Sequence, residues 1–176
     1  MMVKKLDIYE EVITYIVENQ EKFYRLAYSY VRRKEDALDI VQNAICKALE
    51  NYESLRNRNA LRTWFYRILV NESISYIRKY KMEVQCGEAD RLQEESSIAN
   101  GTYGIAGGAL PSAVYREICA LPLELQHIIK LHYFEDMKLQ EVAQVLDMNL
   151  NTVKAKLYRG LKKMKVCMEE SEIWEK

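Results

Sequence analysis

Apolar residues recur at three- and four-residue steps early in the chain: Val12, Ile13, Ile16, Phe23, Ala27, Tyr30 and Val31, then Leu38, Val41, Ile45, Ala48, Leu49 and Tyr52. That period is the signature of amphipathic helices. A third set, Leu61, Trp64, Phe65, Ile68, Leu69, Ile74 and Ile77, predicts a helix over residues 59–81. The polar stretches "RRKED" and "ESLRNRN" separate the three, and neither glycine nor proline interrupts residues 1–82. The expected product is a small helical bundle.

The pattern breaks at residue 83. Residues 83–111, "EVQCGEADRLQEESSIANGTYGIAGGALP", hold five of the six glycines, five acids and one base, and show no sustained period. Serine, asparagine and glycine with a closing proline make this an expected flexible linker. Its glycines match neither G-x-G-x-x-G nor a phosphate loop ending in glycine-lysine-serine/threonine. Beyond it, Pro122 can open a helix, since the first turn needs no amide donor there, and "LELQHIIKLHYF" carries a stripe through Leu125, Ile128, Ile129 and Leu131. A shorter helix, "KLQEVAQVL", is followed by "DMNLN" and by a segment in which Val153, Leu157, Leu161 and Met164 form an apolar seam. Two helices, a tight turn and a cationic second helix have the form of a helix-turn-helix. The fold class expected is all-α: an N-terminal bundle at 1–82, the linker at 83–111, a four-helix domain with a helix-turn-helix at 112–168, and an acidic tail at 169–176.

Composition changes this picture little, but charge changes it much. A chain of 176 residues, 49% hydrophobic and 30% charged, is that of a globular protein. No apolar run is long enough to cross a bilayer, and the N-terminus has acids where a signal peptide would be apolar, so a cytoplasmic location is expected. Net charge is zero, yet residues 154–165 carry six bases and no acid, and residues 56–81 carry seven bases against Glu72 alone. Two basic surfaces on separate domains suggest two contacts with a phosphate backbone, each releasing counterions. In a helix-turn-helix the start of the second helix enters the major groove, which makes Asn151, Thr152, Lys154, Ala155, Tyr158 and Arg159 candidates for base edges and Lys162 and Lys163 candidates for phosphates. Asn149 or Asn151 is placed to cap that helix. A solvated basic face is the plainer reading of any one such helix.

No chemistry of catalysis is assembled. Cys46, Cys86, Cys119 and Cys167 form no C-x-x-C pair, which argues against zinc; Cys46, Cys119 and Cys167 fit apolar helical patterns as small hydrophobes. His127 and His132 lie five apart on an apolar helix with no partner nucleophile, so they read as structural. Catalytic residues, metal ligands, cofactors and a small-molecule substrate are therefore not expected.

The segment "LPLELQHIIKLHYFEDMKLQEVAQVLDMNLNTVKAKLYRGLKKM" resembles the promoter −35-reading domain of bacterial sigma factors. "DALDIVQNAICKAL" and "LRTWFYRILVNESISYIRKY" are similar to the polymerase-binding and −10-reading helices of the same proteins. With these two domains alone, the chain resembles the extracytoplasmic-function group of the sigma-70 family. The resemblance implies a factor that binds core RNA polymerase and promoter DNA, and a membrane-spanning anti-sigma factor as a further partner. It implies that Asp39 and Gln42 lie on the surface docking the polymerase clamp. It also implies that Leu55, Arg56 and Asn57 belong to a loop capturing an extruded −10 base, with Asn71 beside it, and that Arg67, Arg78 and Lys79 reach the DNA backbone. Trp64 has two readings, core by its spacing with Ile68, or a face for melted bases in the manner of the family. Asp147 and Asn151 stand where the family often has glycine; both residue types tolerate left-handed backbone, so the turn is expected to survive. A stand-alone helix-turn-helix regulator and a helical protein-interaction module are the competing classes.

Overall fold

A computed structural model of the chain describes the backbone of residues 2–85, 103–105, 108–110 and 112–174, and the side chains of residues 7–82 and 114–167. The chain divides between residues 91 and 92 into two compact units. Both are built mainly from helices. Inside the stretch expected to lack structure, Tyr103–Ile105 (β1) and Gly108–Leu110 (β2) pair antiparallel, with Gly104 opposite Ala109. The linker thus carries a minimal hairpin that its short apolar run does not announce.

The N-terminal unit contains α1 (Met2–Val31), α2 (Lys34–Glu50) and α3 (Leu61–Gln85). The first connection is tighter than "RRKED" suggests. Arg32 takes left-handed backbone (φ 58°) and donates its amide to Tyr28 O at 2.9 Å, Arg33 is extended, and α2 resumes at once. Glu35 and Asp36 then fall in the first turn of α2, where the helix dipole favours acids; Arg33 Nη1 stands 3.5 Å from Asp36 Oδ2.

The core of this unit is an aromatic wedge. Phe23 of α1 and Phe65 of α3 lie 4.3 Å apart between ring centroids, with Tyr15 and Tyr66 against them. Around the wedge are Val12, Ile16, Leu26, Ala27, Ala37, Ile40, Val41, Ala44, Ala48, Leu61, Leu69 and Val70. Three parts of the expected stripes are displaced. On α2 the buried line runs through Ala37, Ile40, Ala44 and Ala48, whereas Leu38 is 49% exposed and Ile45 and Leu49 are half-buried. Alanines carry little hydrophobic signal, yet their small side chains are what let α1 and α3 approach α2 closely. On α1, Ile13 faces outward, and on α3 Phe65, Tyr66, Leu69 and Ser73 fill the core where Trp64, Ile68, Ile74 and Ile77 are only half-buried.

The C-terminal unit contains α4 (Ser112–Ala120), α5 (Leu123–Ile129) running into a π-helical turn (Lys130–Phe134), α6 (Leu139–Leu146) and α7 (Leu150–Trp174). Pro122 is the N-cap of α5, its carbonyl accepting from Leu125 N at 2.9 Å. Gln126 Nε2 donates to Cys119 O and Leu121 O, at 3.0 and 2.8 Å, which closes the α4–α5 turn. Leu125, Ile128, Ile129 and Leu131 are buried as expected, with Val142, Val145, Val153, Leu157 and Met164 opposite them. Leu161 is half-buried; the seam passes instead through Gly160, where α7 rides on Leu125 and Ile129. α7 also continues through residues 169–174, so that much of the acidic tail is helix.

Candidate nucleic-acid and polymerase interfaces

The turn between α6 and α7 fixes what α7 presents. Lys138 N donates to Glu141 Oε2 at 2.8 Å, starting α6, and Asp147 ends it in left-handed backbone (φ 54°, ψ 45°). Met148 N reaches back to Ala143 O at 2.9 Å, a six-to-one closure that satisfies an end carbonyl. Asn149 then caps α7: its Oδ1 accepts from Asn151 N at 2.8 Å. Of the two residues expected to stand in for glycine, only Asp147 has positive φ; Asn151 is already helical. The turn occupies three residues, 147–149.

With Val153, Leu157, Gly160 and Met164 turned inward, the other faces of α7 are set. Asn151, Thr152, Lys154, Ala155, Tyr158, Arg159, Lys162 and Lys163 are all exposed, Tyr158 by 75%. Lys156 alone among the bases of residues 154–163 turns back, with Nζ 2.5 Å from Glu124 Oε2 on α5. All eight positions expected to contact DNA are thus exposed, as are Lys165, Val166 and Cys167 further along α7. Near the end of that face, α7 and the α4–α5 turn enclose an open, largely apolar cavity of about 450 Å³ lined by Leu121, Pro122, Met164 and Val166 and edged by Arg159, Lys162 and Lys163.

In the N-terminal unit, Asp39 and Gln42 are exposed on α2 together with Leu38 and Cys46, one strip at helical spacing. The outward shift of the helix thus adds an apolar residue to the expected docking face, a residue that periodicity assigns to the core. It also corrects Cys46, which the sequence pattern places among the buried hydrophobes. Cys167, likewise expected to be buried, is exposed, and Cys119 is half-buried; Cys86 lies outside the described residues.

The connection between α2 and α3 is two 3-10 turns, Tyr52–Ser54 and Arg58–Ala60, with Leu55, Arg56 and Asn57 between them. Leu55 is 4% exposed, which corrects its expected place at the DNA surface. Its side chain anchors the loop in the core. Arg56 and Asn57 are exposed; Asn57 Oδ1 accepts from Asn59 N at 3.0 Å. Trp64 fits neither reading fully: it is half-buried and its indole Nε1 donates to Ser54 Oγ at 3.1 Å, tying α3 to the loop. Asn71, Arg67, Arg78 and Lys79 are exposed along α3. Arg58 and Arg62 are engaged within the fold. Arg58 pairs with Asp7 and with Glu11, and the Arg62 guanidinium lies 6.0 Å from the Tyr66 ring centre.

Both histidines make contacts inside the C-terminal unit. His127 is buried beside Lys130, and burial above all, with that ammonium, pushes its pKa down to about 4. His132 Nδ1 lies 2.7 Å from Met137 O. Among the described residues no group of histidine, cysteine and carboxylate side chains is arranged to hold a metal, and no helix is long and apolar enough to cross a membrane.

Residues 15–82 match the family model for sigma-70 region 2, and residues 112–164 match that for sigma-70 region 4. The chain belongs to the sigma-70 family. RNA polymerase sigma factor SigV of Bacillus subtilis (strain 168) is 37% identical over 172 residues, 98% of this chain and 99% of SigV. The ECF RNA polymerase sigma factor SigW of the same organism is 29% identical over 149 residues, 80% of each chain. The fold is that of the sigma factor RpoE of Bartonella quintana, solved with the anti-sigma factor NepR: TM-score 0.68, 20% identity, 89% of this chain and 95% of that one. This sigma factor is therefore of the extracytoplasmic-function type, and it directs transcription initiation with core RNA polymerase at promoter DNA.

Proposed function

We propose that this sigma factor reads the −35 element as duplex with the N-terminal half of α7 and engages the −10 element with the loop and α3 of its N-terminal unit. One observation carries the reading. Every α7 side chain assigned to DNA is exposed, and Lys156, which lies between Lys154 and Arg159 but is not so assigned, is held away by Glu124. Arg159 and Asn151 can pair with base edges, and Lys162 and Lys163 with phosphates.

On this reading residues 1–82 bind polymerase through the strip containing Asp39 and Gln42, and read the −10 element through Arg56, Asn57 and Asn71. Arg67, Arg78 and Lys79 follow the backbone of the strand, and Trp64 borders the melted bases. Residues 83–111 join this domain to the −35-reading domain at 112–168. Capture of an extruded base offsets part of the unstacking cost, on the order of a few kcal/mol. The protein acts in the cytoplasm, has no active site of its own, and is held in check by an anti-sigma factor; its structural neighbour RpoE was solved in complex with the anti-sigma factor NepR. Run-off transcription with core enzyme tests the whole reading. Promoter-specific transcripts are expected only when sigma factor and core are combined. Tight, sequence-specific binding to DNA without core would instead favour a stand-alone regulator.

A further inference from the structure

The loop between α2 and α3 is held from a direction that its own sequence does not reveal. From α3, Trp64 Nε1 grips Ser54 at the loop's first turn. From below, Leu55 is buried. From α1, Asp7 Oδ2 bonds Arg58 Nη2, Glu11 Oε2 lies 3.4 Å from Arg58 Nε, and the Tyr9 ring meets Tyr52 edge-on with centroids 5.1 Å apart. Asp7 and Glu11 are one helical turn apart, so a single face of α1 presents both carboxylates to one guanidinium. These α1 contacts come from residues that precede the stretch matching sigma-70 region 2, which begins at residue 15. Arg58 follows directly on Arg56 and Asn57, the exposed residues of the loop.

We propose that Asp7 and Glu11 are positioning residues for the −10 loop: through Arg58 they fix where Arg56 and Asn57 meet an extruded base. The inference rests on the reading of that loop given above. A loop of ten residues between two helices, 51–60, has few backbone bonds to hold its exposed tip. Capture of a single base demands a tip fixed to a fraction of an ångström, since small misplacements of binding groups are costly. The Asp7 hydrogen bond to the fork-shaped guanidinium supplies directional restraint, and the Glu11 carboxylate 3.4 Å away adds charge attraction. Arg58 is thus a strut rather than a DNA contact.

The experiment uses the full chain with core polymerase on a promoter that the wild-type protein transcribes, and on variants of it substituted at the captured −10 base or at one −35 position. Discrimination is the ratio of transcript yields. In the Asp7→Asn/Glu11→Gln variant, −10 discrimination is expected to fall about fivefold, the worth of roughly one lost restraint, with −35 discrimination and the thermal midpoint unchanged. Arg58→Lys keeps a cation between the carboxylates but loses the planar fork, so −10 discrimination should fall about as far as in the doubly neutralised variant. Unchanged −10 discrimination in the doubly neutralised variant, while Asn57→Ala loses it, overturns the inference. So does equal loss at both elements, which would report general damage. If Arg58 touched DNA directly, freeing it would tighten binding and steepen its salt dependence, and that result too would be fatal. Should Arg56→Ala and Asn57→Ala both leave the −10 ratio unmoved, the loop reading itself fails and takes the strut with it.

Discussion

Lys156 Nζ lies 2.5 Å from Glu124 Oε2, joining α7 to α5, while Lys163 on the same helix is exposed. The two lysines are seven apart in sequence and equal in charge, but only one is available to a phosphate. Lys163→Ala is expected to weaken binding almost equally on all promoter sequences and to flatten the salt slope by about one. Lys156→Ala should leave the slope unchanged and cost at most about 1 kcal/mol of stability, the usual ceiling for an exposed pair. Affinity measured across a salt series separates them, and equal slopes for the two variants would contradict the division of the α7 face.

Arg159 is expected to behave differently from both. Paired with a base edge, an arginine is worth about 1 to 3 kcal/mol of discrimination, so Arg159→Ala should relax preference at one −35 position. Transcript yields from single-substitution −35 promoters provide the measurement. A uniform loss at every position would move Arg159 to the phosphate-contacting group.

Much of this surface is legible in the amino-acid sequence, and the physical reasons for that also explain where the sequence misleads. The α7 face can be read because Val153, Leu157 and Met164 fix the helix phase, and phase decides exposure for every residue between them. The turn can be read because Asp147 is a residue type that accepts left-handed backbone. On α2 the same logic slips: its core contacts are alanines, which weigh little in a hydrophobic count, so Leu38 draws the stripe toward itself and leaves the exposed strip with Asp39, Gln42 and Cys46 incomplete. Leu55 misleads for the opposite reason, since the loop it belongs to says nothing of which member turns inward. Arg58 and Lys156 read as free cations because their partners, Asp7, Glu11 and Glu124, are 32 or more residues away, and long-range pairing leaves no local trace.

Asp39 and Leu38 share the exposed strip of α2, which yields a test of the polymerase-facing surface. Asp39→Lys is expected to reduce association with core polymerase while shifting stability by no more than about 0.5 kcal/mol, as exposed substitutions usually do. Co-purification with core enzyme, beside a thermal melt, supplies both numbers. Undiminished core binding would remove Asp39 from that surface.

His127 makes the stability of the C-terminal unit depend on pH. Its pKa in the folded chain is lowered to about 4 from 6.5, chiefly by burial. Between those values the unfolded chain binds a proton that the folded chain does not, so stability is full above the unfolded value and declines as pH falls through the window. At about 1.4 kcal/mol per pKa unit, the loss by pH 4 is roughly 3 kcal/mol. Urea midpoints from pH 7 to 4 should fall in the wild type and fall less in His127→Gln. Parallel curves for the two proteins would assign the acid sensitivity to other groups.

Gly160 sets how closely α7 lies on α5. A Cβ added there would stand 3.1 Å from Ile129 Cδ1 and 3.7 Å from Leu125 Cβ. Ile129 Cδ1 is the far end of a flexible side chain and can yield a few tenths of an ångström, whereas Leu125 Cβ is fixed to the backbone of α5. Alanine in a helix interior is favoured over glycine by about 1 kcal/mol, enough to offset a displaced methyl group. Gly160→Ala should therefore be near neutral. Gly160→Leu has no such escape, because its further carbons must enter the space held by Leu125, and overpacking of this kind costs about 1 to 3 kcal/mol. The damage should extend to function, since prying α7 from α5 tilts the helix that carries Arg159. Urea midpoints of the two variants, with −35 promoter affinity measured beside them, give the comparison. A Gly160→Leu protein as stable and as tight on DNA as wild type would mean that α7 is not seated by this contact.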